Sequence, residues 1–316
     1  MRKFRTIATF LLFLATLCSG IIPAQAQDQA AATTPARMTV TVRLLDQDKR
    51  MPDVSREDVI VRQGKNRLQV TGWTPARGER GGLDLFILVD DASDPSLGSQ
   101  LDDLRSFVNA QPSTTSVGVG YMRNGTVQIT QNFTTEHSQA ANAVRLPLAS
   151  SGAYGSPYLS VIDLMKRWPT HSNRREIVMV TDGIDRARGG PRFRLATNPD
   201  VDSASTVAQR TGTIIDAIFA RGVGRLGSNF WEINRGQNGL AKLSAETGGD
   251  SFYLGTQNPV SFKPYLDAVQ NALNNQYILE FNAIPGKKSD LQYVKLTTEV
   301  AGVELDSADS VWVEAK

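Results

Sequence analysis

The amino-acid sequence predicts an α/β fold, a doubly wound and mostly parallel sheet with one antiparallel edge strand, flanked by small N- and C-terminal β segments. Residues 85–89 (Leu-Phe-Ile-Leu-Val) and 177–180 (Ile-Val-Met-Val) are near-continuous apolar runs, the signature of strands buried on both faces. Helical spacing separates such runs, as in Leu97, Leu101, Leu104, Phe107 and Val108, and parallel neighbours require crossovers of this kind. Asn124-Gly125, set between the apolar residues of 117–122 and 127–129, is a hairpin signal that makes one strand pair antiparallel.

Taken in chain order, residues 1–26 carry Arg2, Lys3 and Arg5, an apolar run over 7–17 and then Ala24-Gln25-Ala26, the layout of a secretory signal peptide cleaved after Ala26. The run is too short to span a bilayer comfortably. Residues 27–37, rich in Ala, Gln and Thr, read as a disordered linker. Residues 38–80 form a small β module, with strands expected at 38–44, 59–61 and 68–70. The α/β domain covers 81–274. After the hairpin come helices at 136–146 and 157–168, the strand 177–180, a helix at 202–211 and a strand at 213–219. Helices at 237–247 and 260–273 enclose a short strand at 251–253. Residues 275–316 are a β tail with strands at 277–281, 294–298 and 310–313.

Composition narrows the function. The chain has 34 Lys plus Arg against 32 Asp plus Glu, and removing the three basic residues of the signal segment leaves 31 against 32. That balance lacks the basic footprint of a nucleic-acid binder. The single cysteine, Cys18, lies in the segment expected to be removed, so neither a disulfide nor a catalytic thiol is expected in the exported chain. Lipidation at Cys18 is disfavoured because Leu17, not a small residue, precedes it. The two histidines, His137 and His171, have no zinc-like spacing, and no Gly-x-Ser-x-Gly elbow or phosphate loop is present. The expectation is that the protein is not an enzyme.

Ligands of open parallel sheets bind beyond the carboxyl ends of the strands. Three segments fall there: Asp90-Asp91-Ala92-Ser93-Asp94, Thr181-Asp182-Gly183 and Gly155-Ser156-Pro157. Their hard oxygens suit Mg²⁺, Ca²⁺ or Mn²⁺ better than zinc. The plainer reading of the acidic loop is a cap for the helix that begins near Ser96, since Asp and Ser are good N-caps.

Residues 83–90 (Leu-Asp-Leu-Phe-Ile-Leu-Val-Asp) and 178–183 (Val-Met-Val-Thr-Asp-Gly), together with the element order over 83–273, resemble the von Willebrand factor A family, which has a Rossmann-like fold. The turn module before this region and the β tail after it are similar to those of the von Willebrand A-related proteins common in acidobacterial genomes. The resemblance implies a metal-ion-dependent adhesion site of the pattern Asp-x-Ser-x-Ser, a distant Thr and a further Asp. By position, Asp90, Asp94, Ser156 and Asp182 are its metal ligands, and Ala92 stands where the first Ser should be. The site is therefore degenerate. A shifted register through Asp91 and Ser93 puts Pro95, which has no ligand atom, at the third position.

Arg186 and Arg188, with Arg192 and Arg194 in the same Gly-Pro-bearing loop, are candidate contacts for an acidic partner, with a solvated loop as the plainer reading. Trp231, beside Phe230 in a Gly-rich stretch, is either a partner contact or packed on the domain. The signal peptide implies a periplasmic or extracellular protein, and the resemblance implies that it binds another protein or a cell-surface polymer, adhesion-like, through this degenerate site. The alternative is a structural or assembly protein with a vestigial, metal-free site.

Overall fold

The computed structural model describes residues 33–46, 51–149, 155–170, 173–187 and 198–315. The expected signal peptide, most of the expected linker, His171, Arg188, Arg192 and Arg194 lie outside the described residues. The described residues form one compact unit.

The two ends of this unit build one β body. Strand β1 (Thr34–Leu44) pairs antiparallel with β11 (Gln276–Ala283) and with β14 (Val303–Ser307), and β11 pairs in turn with β4 (Val70–Pro75). A second sheet has the order β13 (Lys295–Thr298), β2 (Val59–Gln63), β3 (Asn66–Leu68), and a two-stranded ribbon joins β12 (Asp290–Tyr293) to β15 (Ser310–Val313). Val40, Val61, Leu279, Phe281 and Val313 share its core. Trp73 stacks on Tyr277 with ring centroids 4.5 Å apart and donates through Nε1 to the Val54 carbonyl at 2.8 Å. The module and tail that the sequence separates are thus a single layer system. Strand β1 also begins inside the stretch read as disordered: Thr34 and Arg37 pair with Ala283 and Glu280. The distant β11 supplies ladder partners that local composition does not reveal.

Between the two ends runs a central sheet. Its elements are β5 (Leu83–Asp90), α1 (Gly98–Asn109), β6 (Thr115–Arg123), β7 (Thr126–Thr134), α2 (His137–Ala143), α3 (Pro157–Arg167), β8 (Arg174–Thr181), α4 (Pro199–Thr211), β9 (Thr213–Phe219), the single turn α5 (Gly224–Gly227), α6 (Phe230–Thr247), β10 (Ser251–Phe252) and α7 (Lys263–Asn274). The order is β10-β9-β8-β5-β6-β7, parallel throughout except for β6 with β7. The protein is therefore a mixed α/β chain with a central, mostly parallel sheet, not a purely doubly wound one. Every residue of β5 is buried, because residues from α1, α2 and α7 cover one face and residues from α3, α4 and α6 the other. Asn124 and Gly125 have φ of 53° and 73°, the doubly left-handed turn that suits the twist of the β6–β7 hairpin.

Helix α6 starts at Phe230, nearly two turns earlier than the apolar spacing suggests. Asn229 caps it, its Oδ1 accepting from Trp231 N at 2.9 Å and Glu232 N at 3.2 Å.

Polar side chains bolt the β body to the central sheet. Arg174 donates to Gln276, whose Nε2 donates to Glu176 Oε2 at 2.8 Å. Glu176 and Asp216, on the adjacent parallel strands β8 and β9, are both buried. Burial raises the pKa of both, and the Glu176 charge raises Asp216 further. Arg43 of β1 reaches Asp250 at 2.7 Å and also pairs with Asp306.

Candidate functional site

Strands β5 and β8 are parallel neighbours in the register Leu88↔Met179 and Val89↔Val180. That register sets Asp90 beside Thr181 at the carboxyl edge, where the strand order reverses. Asp90 Oδ2 accepts from Thr181 Oγ1 at 2.7 Å, and Oδ1 accepts from Ala92 N at 2.8 Å. Burial, then the nearby Asp182 carboxylate, pushes the Asp90 carboxyl up to about 6, against the lowering effect of the Ala92 hydrogen bond and the Arg186 charge.

Asp182 follows β8 and is 1% exposed. Its Oδ1 accepts from Ile184 N at 2.9 Å, so it closes a tight local turn, and Arg186 holds both of its oxygens. The Arg186 Nη1 to Asp182 Oδ1 distance is 3.0 Å, and Nη1 also donates to the Ile184 carbonyl at 3.2 Å. Burial works against the Arg186 charge, but the Asp182 hydrogen bonds and charge, joined by Asp90 and Asp185, outweigh it and raise its pKa. The backbone is fixed as well, since Arg186 N donates to the Gly155 carbonyl at 2.8 Å.

Asp90, Ala92, Arg123, Ser156 and Arg186 line a cleft of about 20 Å³, room for little more than one water molecule. Ser156 is the N-cap of α3, its Oγ accepting from Leu159 N at 3.3 Å. Asp182 is not among the lining residues, and neither is Asp94. Asp94 Oδ1 accepts from Ser96 N at 2.9 Å and caps a 3-10 turn, Pro95–Leu97, which is the plainer of the two roles the sequence allows. Asp91, the first position of the shifted register, also lines the cleft and has a partner of its own. Arg145 holds both Asp91 oxygens, at 2.7 and 3.0 Å, while its guanidinium lies 3.7 Å from the centroid of Tyr121.

The sequence resemblance to the von Willebrand factor A family implies a divalent cation here, and the side chains as arranged do not fit one. Ala92 offers no oxygen, Ser156 and Asp94 serve as caps, and a fixed guanidinium takes both oxygens of Asp182. Among the described residues, no group of three or more His, Cys, Asp or Glu side chains is arranged to hold a metal ion.

Arg186 is thus a correction to the sequence reading. It is 9% exposed and spent on Asp182, so it is not a free contact for an acidic partner. The signal was its position four residues after Asp182, across Gly183, whose φ of 68° turns the chain back on itself. Trp231 is 73% exposed on α6, with Phe230 60% exposed beside it and their ring centroids 5.8 Å apart. His137 Nε2 lies 2.8 Å from the Thr115 carbonyl, a structural contact between α2 and β6.

No family model and no curated protein matches the chain. Among solved structures it is similar to an aerotolerance-related membrane protein from Bacteroides fragilis, at 13% identity and a TM-score of 0.42, over 61% of this chain and 99% of that one. It is also similar to a von Willebrand factor type A protein from Catenulispora acidiphila, at 9% identity and a TM-score of 0.46, over 90% of this chain and 75% of that one. The SpRpn10 VWA domain resembles it at 11% identity and a TM-score of 0.39, over 60% of this chain and 96% of that domain. At such distances the function rests on the residues themselves.

Proposed function

We propose that this is an exported, non-enzymatic, von Willebrand A-like protein of the acidobacterial related type, which binds a protein partner through the carboxyl edge of its central sheet. The observation that supports it is the exposed pair Phe230 and Trp231 on a capped helix whose Gly236 packs against the Asp182 backbone. Large aromatics on a rigid element lose little conformational freedom on binding and anchor interfaces. Leu254, 75% exposed, lies on the neighbouring loop, which Gln237 ties to α6 through a 2.6 Å hydrogen bond to the Gly255 carbonyl. Export rests on the signal-like residues 1–26 and predicts a mature N-terminus at Gln27. Among the described residues no helix is long and apolar enough to cross a membrane.

A second reading, an assembly protein that makes its contacts through the β body, is favoured by Tyr293, 61% exposed on β12. Pull-down with the mature chain, followed by identification of cross-linked partners, separates the two. The edge reading expects Trp231→Ala to lose the partner and Tyr293→Ala to keep it. The reverse pattern sinks it, and retention by surface polysaccharide alone sinks the protein-partner version.

A further inference from the structure

We infer that Arg186 stands in for the divalent cation at the carboxyl edge, making the pocket a permanently charged, metal-independent site. This goes beyond the binding proposal and holds whatever the edge engages.

Charge and geometry agree on it. Asp90 and Asp182 are both buried, and an ionised carboxylate held out of water is stable only beside a positive charge. Arg186 supplies that charge, and its planar fork matches the two oxygens of Asp182, a geometry that a lysine or a spherical ion does not share. The remaining would-be ligands are turned to backbone donors: Asp90 to Ala92 N, Ser156 to Leu159 N and Asp94 to Ser96 N.

The chain also closes over the pair. A Cβ on Gly222 would lie 2.1 Å from Asp182 Oδ2 and 2.8 Å from Arg186 Nη2, so only glycine lets this backbone roof the ion pair. Hydrogen bonds from Val223 N to the Ala92 carbonyl, 2.8 Å, and from Asp94 N to the Arg221 carbonyl, 2.9 Å, hold the roof on the acidic loop. A divalent ion entering this pocket would set three positive charges against two negative ones. Otherwise it must expel Arg186, whose backbone is tied to Gly155, and breaking a buried ion pair reduces apparent cation affinity by roughly a hundredfold or more.

The test uses the full mature chain, stripped of metal and titrated separately with Mg²⁺, Ca²⁺ and Mn²⁺, with thermal unfolding and the Mn²⁺ paramagnetic signal as readouts. The wild type is expected to show no saturable shift with any of the three. Arg186→Gln should melt lower in chelator and regain roughly 3 °C or more at about tenfold excess of one cation over its dissociation constant. A saturable stabilisation of the wild type, or stoichiometric Mn²⁺ binding to it, overturns the inference. So does an Arg186→Gln chain that folds yet ignores all three cations, since the pocket would then hold no vacated cation place. If Arg186→Gln does not fold, the wild-type Mn²⁺ measurement decides alone.

Discussion

Arg186 and Asp182 form a buried two-point ion pair, with side chains 8% and 1% exposed and an Nη1 to Oδ1 distance of 3.0 Å. Removing one partner of such a pair strands the other charge out of water, which costs about 3–5 kcal/mol. Arg186→Met is therefore expected to lower the stability measured by urea unfolding by about that amount. Asp182→Asn combined with Arg186→Met should cost less than the two single changes added together. Additive losses would show that the pair is not coupled.

Asp90 gives the edge a pH dependence of definite sign. Its folded-state pKa, pushed up to about 6, exceeds the ordinary carboxylate value, so the folded protein holds this proton more tightly than the unfolded chain does. The associated stability is fully present below the unfolded pKa and is lost as pH rises through about 6. Asp90→Asn removes the titration and keeps an acceptor for Ala92 N. The variant is expected to match the wild type near pH 4 and to exceed it near pH 7.5 by roughly 3 kcal/mol, at about 1.4 kcal/mol per pKa unit. Urea unfolding at the two pH values checks this, and a constant offset between the proteins would contradict it.

A second pair of buried carboxyl groups lies where the β body meets the central sheet. Glu176 and Asp216 are both raised by burial, so their contribution to stability is likewise present in acid and lost as pH rises through their folded-state pKa values. Facing them are Arg174, Gln276, Arg43 and Asp250. Glu176→Gln is expected to flatten the decline of the melting temperature with rising pH. A variant with the same decline as the wild type would assign that loss to other groups.

Gly236 is where α6 touches the site. Alanine is favoured over glycine in a helix by about 1 kcal/mol. Here, however, its Cβ would sit 2.1 Å from the Asp182 carbonyl oxygen, a backbone atom that cannot swing away. Overpacking of this kind costs about 1–3 kcal/mol and should outweigh the propensity gain. Gly236→Ala is expected to be net destabilising in urea, and a more stable variant would mean that α6 is free to shift.

The sequence by itself determined the alternation of buried strands and covering helices, because a strand buried on both faces must be apolar throughout, as 85–89 and 177–180 are. It also placed the β6–β7 hairpin, since Asn-Gly accepts the left-handed turn that other residues resist. It placed Asp90 at the end of β5, Asp182 just after β8 and Ser156 at the start of α3, because strand and helix ends follow from element order. Only the tertiary structure decided what those residues do there. Whether Asp94 turns to Ser96 N or into the cleft, and whether Arg186 faces water or Asp182, depends on which donor meets which acceptor once the chain is packed. Spacing does not encode that choice. The joining of β1 with β11 was equally invisible, since strand pairing across the whole α/β domain is fixed by burial and register, not by any local signal.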